Sequence, residues 1–245
     1  MQNTAPTNPT GQRPAGGSTR RAKPEVPAEF KAEPIEKLDQ AALIRILGEP
    51  GSEPATLFRK AIACKRLAVI GTKEAVPALA ALLGDDRASD YARDALESMP
   101  DPSADDALRA ALPKLKGLLL IGVINSLRRR RDLKAVEPLG KLVDGADAAV
   151  ARAAALAVGE ISGPVAAKTL QRALGTTKGA VRADVAAGAL LCADRMMAED
   201  RKGALALFDL LSQADIPSNV RMAAMHLRMA AETSLKRPRT APGPK

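Results

Sequence analysis

Val150-Ala151-Arg152-Ala153-Ala154-Ala155-Leu156-Ala157-Val158-Gly159-Glu160-Ile161 places Val150, Ala154, Ala157, Val158 and Ile161 at i, i+4, i+7, i+8 and i+11. That spacing puts five apolar side chains on one stripe of an α-helix. Upstream, Leu139 is followed by Leu142 and Val143, a shorter stripe of the same kind, and Asp144-Gly145 then marks a turn. A leucine with apolar residues three and four positions later also occurs at Leu43, Leu79, Leu108, Leu170 and Leu207. The six anchors are spaced by 36, 29, 31, 31 and 37 residues. A period of about 33 residues, each holding two helical segments, is the mark of a stacked helical array.

The punctuation agrees. Prolines stand near the start of several first helices (Pro77, Pro102, Pro138, Pro164), where a missing amide costs little. Gly84-Asp85-Asp86, Asp144-Gly145 and Gly175-Thr176-Thr177 follow first helices as turns. Nothing between 35 and 234 alternates with a period of two, so no strand is expected.

These residues resemble bacterial HEAT repeats of the short type also called phycobilisome-lyase HEAT-like. The likeness is carried by the second-helix segment quoted above, by Val181-Arg182 and Val220-Arg221 as further copies of its beginning, and by the junction Leu67-Ala68-Val69-Ile70-Gly71-Thr72-Lys73-Glu74-Ala75-Val76-Pro77-Ala78-Leu79. It covers about 35–232. Units three and six depart from the pattern, with Leu118-Leu119-Leu120 at the start of one second helix and a longer connection from Met196 to Lys202. The resemblance implies an all-α, right-handed α-solenoid, an armadillo/HEAT-like superhelix of about six helix pairs. It also implies first helices on the convex side, second helices on the concave side, and an inner face that binds another protein.

The expected organisation is a Pro-rich basic arm at 1–34, the solenoid at 35–234 and a basic tail at 235–245. Six prolines in the first 34 residues, interspersed with Gly, Thr and Asn, give that arm too little apolar surface to form a core. Of the net charge of +9, the arm carries +2 and the tail +4, leaving +3 for the 35–234 body. The run Arg128-Arg129-Arg130-Arg131 more than accounts for that remainder. Basicity confined to two tails and one loop does not form the cationic stripe that a duplex-binding face needs. The longest apolar stretch, Leu118 to Ile124, is far short of the roughly 18 residues of a spanning helix. No signal peptide is legible in the first thirty residues. The expected location is cytoplasmic, or extracytoplasmic if the true start codon lies elsewhere.

Groups able to do chemistry are sparse. His226 is the sole histidine, which leaves no His pair for a metal and no second base for a Ser or Cys nucleophile. Cys64 and Cys192 fall on second helices several layers apart, too far for a disulfide, and Cys192 takes the stripe position of Ile161. Asp85-Asp86, Asp105-Asp106 and Asp144/Asp147 are expected to serve helix starts rather than a metal. No catalytic residue, cofactor or metal site is expected.

Two surfaces stand out as candidate sites. The second helices of units three to five are nearly uncharged: Leu118 to Leu127 and Val185 to Ala193 carry no charge, and Ala148 to Val158 only Arg152. Leu156, Ala187, Leu190 and Arg152 are therefore the expected partner-binding groove, with tight packing of Ala and Gly as the competing explanation for the missing charge. Arg128, Arg129, Arg130 and Arg131, at the end of a second helix, are the expected anion-binding group. Met222, Met225 and Met229 on the last helix form a third apolar stripe where a solenoid normally wears a polar cap. The function expected is a non-enzymatic scaffold or adaptor for a protein partner. Weak nucleic-acid contact through the tails is expected, as is self-association through the groove or the terminal helix. The alternatives are a DNA-glycosylase-like nucleic-acid binder and a bilin lyase or chaperone-like protein. Against the first, such enzymes hold DNA with aromatic side chains and a carboxylate in the cleft, whereas this chain has no Trp, one Tyr (Tyr91) and few acids on its inner helices. The second rests on the family's other name.

Overall fold

Twelve α-helices and no strand make up the described residues of the computed structural model, 35–236 apart from Ser52. The expected arm at 1–34 and all but the first two residues of the expected tail lie outside the described residues. The helices fall into six pairs: α1 (Gln40–Leu47) with α2 (Pro54–Ile70), α3 (Val76–Ala81) with α4 (Ser89–Ser98), α5 (Pro102–Ala111) with α6 (Gly117–Arg130), α7 (Val136–Val143) with α8 (Ala148–Ile161), α9 (Pro164–Thr176) with α10 (Gly179–Met196), and α11 (Arg201–Gln213) with α12 (Ser218–Lys236). The members of each pair pack together, and each even-numbered helix packs on the next even-numbered one, from α2 to α12. In the odd layer α1 packs on α3, α3 on α5, α7 on α9 and α9 on α11. The fold is all-α and solenoid-like.

The helices start where the backbone amides are provided for. Asp39, Asp101, Asp147 and Asp200 cap α1, α5, α8 and α11, each accepting a hydrogen bond from a first-turn amide. Such a cap contributes about 1 kcal/mol. Pro54, Pro102 and Pro164 open α2, α5 and α9. The Gly175-Thr176-Thr177 turn begins later than expected. α9 runs through Thr176, because the hydroxyls of Thr176 and Thr177 donate to the Ala173 carbonyl and satisfy the helix end. Leu118-Leu119-Leu120 forms the first turn of α6, after Gly117 at a φ of 53°.

The core is a single strip between the two layers. Leu43, Leu79, Leu108, Leu139 and Leu170 are fully buried and Leu207 nearly so, which places all six anchors at equivalent depth. Burial of each stabilises the array by about 1.5 to 3 kcal/mol. α8 and α10 approach most closely. A Cβ on Gly159 would stand 2.3 Å from the Gly188 carbonyl oxygen, and one on Gly188 would stand 2.5 Å from that of Ala155.

Candidate functional site

The expected groove residues lie on α8 and α10, the second helices of units four and five. On α8, Ala151, Ala154, Ala155, Val158 and Ile161 face the interior, so Arg152, Leu156 and Glu160 fall on the free side. Leu156 is half-buried and Arg152 is exposed, reaching Asp184 of α10 at 3.6 Å. Ala187, one repeat later, is half-buried at the equivalent place on α10. Leu190, one turn on from Ala187, is likewise half-buried and also packs against the core beside the fully buried Ala186 and Ala193. The expected quartet thus lies on α8 and α10 with Leu190 at the edge between free side and core. On α6 the free side begins with Leu118, which is 86% exposed, and continues through half-buried Ile121 and Asn125.

Charge on this layer is concentrated toward the helix ends, and much of it is paired. Arg129 of α6 donates to Glu97 of α4 at 2.8 Å, and Arg128 donates to Glu160 of α8 at 2.7 Å. The other oxygen of Glu160 faces Arg195 of α10 at 3.7 Å. A ladder of alternating sign thus ties four successive even helices. Glu97 holds the Arg129 guanidinium above its ordinary pKa through a hydrogen bond and its charge. The ladder escaped the sequence reading because each run of charge was weighed alone. Comparing the C-terminal turns of successive second helices shows the alternation.

The four arginines do not act as one group. Arg130 turns inward to Asp105 of α5 and to the backbone carbonyls of Leu96, Glu97, Met99 and Asp101, which close the α4 end. With Arg128 and Arg129 in the ladder, only Arg131 lacks an acid partner among the described residues. It caps α6 in the left-handed conformation at a φ of 51°. Beside it, a cleft of about 400 Å³ opens between the ends of α8 and α10. Ser162, at the next repeat's cap position with a φ of 64°, lines the same cleft. Arg131 and Ser162 are the two described non-glycine residues with positive φ. The cleft also holds Arg195 with Glu160, Glu199 and Asp200, so its two cations meet three carboxylates and it has no preference for anions.

The remaining candidates fill structural places. Asp85 accepts from the Arg87 and Ala88 amides and Asp147 caps α8. Asp105 and Asp106 pair with Arg130 and Arg109. Asp144 ends α7 rather than starting a helix, and pairs with Arg172. Among the described residues, no group of three or more His, Cys, Asp and Glu is placed to hold a metal ion. His226 is exposed on α12. Cys64 and Cys192 are free and fully buried. Burial pushes the Cys64 thiol up to about 12 and raises that of Cys192 as well. Because the thiolate is the reactive species, alkylation of Cys64 at pH 8 is expected to be about a thousandfold slower in the native chain than in the denatured one. Mass spectrometry of the labelled peptide measures this, and equal rates would mean that α2 is not packed as described.

No family model matches the sequence, and no curated protein matches it. Among solved structures, the crystal structure of an engineered protein from the Northeast Structural Genomics Consortium is 19% identical. The match covers 82% of this chain and 98% of that one, with a TM-score of 0.46. No described helix is long and apolar enough to cross a membrane.

Proposed function

We propose that this chain is a non-enzymatic HEAT-repeat scaffold that binds an extended segment of a protein partner along the free face of α6, α8 and α10. The observation that carries this reading is the distribution of charge on that layer. It carries exposed Leu118 at the start of α6 and half-buried Ile121, Leu156 and Ala187, while most of its charges lie toward the helix ends and many of them pair. An apolar strip between paired charges suits a chain segment that contributes apolar side chains at its centre and polar groups at its margins. Arg152 with Asp184, and the unpaired Arg131 at the strip's edge, offer polar contacts for that segment. A cytoplasmic location fits two buried free thiols.

Leu156→Glu and Ala187→Glu test the proposal. Both positions lie off the core stripe, so the variants are expected to keep the wild-type helical CD and melting temperature. Each is expected to lose the co-purifying partner, because a charge buried without a counter-ion in a contact costs about 2 to 5 kcal/mol. If both variants fold and capture the same proteins as wild type, the free face is not the binding surface. Nucleic-acid binding is expected to be weak, to fall steeply with salt, and to need the basic tails. Salt-insensitive binding by residues 35–236 would favour a nucleic-acid function instead.

A further inference from the structure

The last described inner helix, α12, has a stripe that repeats the stacking face of α8 and that no described helix covers. On α8 that face is Ala151, Ala155, Gly159 and Ser162, at i, i+4, i+8 and i+11. Gly159 and Ala155 meet the α10 backbone at Gly188, and the Ser162 hydroxyl donates to the Cys192 carbonyl at 3.2 Å. Matching Val150 to Val220, the buried first anchors of α8 and α12, carries the stripe onto Arg221, Met225, Met229 and Glu232. On α8 Ala151, Ala155 and Gly159 are small and buried, and on α10 the matching Ala186 and Ala193 are fully buried while Arg182 and Leu190 are half-buried. Here Met225 is 41% and Met229 61% exposed, on the side away from fully buried Ala224. A solenoid end normally presents polar residues to water.

The order of the four residues says what covers them. Read from either end, the stripe is charge, Met, Met, charge, and the two end charges are opposite. A second copy of α12 laid antiparallel sets Met225 against the partner's Met229 and Arg221 against the partner's Glu232, and two-fold symmetry makes each contact twice. Arg221 has no acid partner among the described residues, whereas Glu232 is exposed and contacts only Arg228 of its own helix, at 3.4 Å. Antiparallel packing also opposes the two helix dipoles favourably. At the other end of the array α2 exposes Phe58 and Val69, so pairing through α12 is told from head-to-tail growth by whether the mass stops at two chains.

We infer that the C-terminal end of the solenoid is a self-association surface on which two copies of this chain pair antiparallel through α12. This inference is independent of partner binding on the free face. One helix face covers less than the roughly 800 Å² per partner of a standard interface, so dissociation in the range of about 10 to 100 µM is expected.

Sedimentation velocity of the full chain, from about 1 to about 500 µM, tests it. The mass is expected to rise from one chain toward two. Met229→Glu is expected to weaken dimerisation at least tenfold, with helical CD and melting temperature unchanged. Arg221→Glu is expected to weaken it several-fold, and Arg221→Glu combined with Glu232→Arg to restore it, because the swapped charges again meet across the two-fold axis. A wild-type chain that stays monomeric throughout overturns the inference. So does a Met229→Glu chain that dimerises like wild type, or a charge swap no better than Arg221→Glu alone. Mass growing beyond two chains would mean an open, head-to-tail contact and would equally overturn it.

Discussion

Gly188→Ala is expected to destabilise the protein by about 2 kcal/mol, the opposite sign to the usual effect of replacing a helical glycine, which gains up to about 1 kcal/mol. The reason is the seam between α8 and α10. The new methyl would stand 2.5 Å from the Ala155 carbonyl oxygen and 3.0 Å from its carbon. Both are backbone atoms that cannot rotate away, so the helices must part and loosen the packing around Leu170, whose methyl lies 3.5 Å from the same point. A Cβ on Gly159 would stand 2.3 Å from the Gly188 carbonyl oxygen, so Gly159→Val should cost more still. Gly175 supplies the control. It is exposed in the last turn of α9, with nothing within 4 Å of the place its methyl would take, and Gly175→Ala should be neutral or stabilising by a few tenths of a kcal/mol. Urea unfolding of the three variants decides the matter. A neutral or stabilising Gly188→Ala would show that the two helices are not in backbone contact.

Arg130→Ala is expected to cost about 3 kcal/mol, whereas Arg129→Ala should cost less than about 1 kcal/mol, although the two residues are adjacent in a run of identical side chains. The Arg130 side chain is only 10% exposed, and its removal leaves Asp105 and several carbonyls at the end of α4 without their donor. Arg129 is 67% exposed, and without it Glu97 still accepts from the Ser126 hydroxyl at 2.6 Å and faces Arg93 at 4.0 Å. The contrast separates a structural tie from a ligand site. If the four arginines formed one anion-binding group, single substitutions would weaken anion binding alike and leave stability unchanged. Thermal melts of both variants, beside anion titrations, distinguish these outcomes.

Leu43, Leu79, Leu108, Leu139, Leu170 and Leu207 were legible as core from sequence alone, because the 3.6-residue period is a local property and each first helix repeats it. The same holds for the burial of Cys192, which inherits the stripe position of Ile161. Aspartate caps and opening prolines likewise act within one turn, so residue type and place are enough to find them. What lies between repeats was not legible. Leu190 stands one turn on from Ala187 on a single helix, and only the packed array shows that it also touches the core beside the buried Ala186 and Ala193. The arginine run looked like a reserve of positive charge because its acids, Glu97, Asp105 and Glu160, come from three other helices, 25 to 32 residues away. Tight packing of Ala and Gly was legible only as a general explanation for the uncharged layer, and it takes the stacked helices to show that Gly159 and Gly188 each meet the backbone of the helix facing them. Local periodicity determined the helices and their buried stripes; the stacking of one repeat on the next decided which charges pair, which glycines touch and which apolar faces remain open, because those depend on distances between residues about one repeat apart.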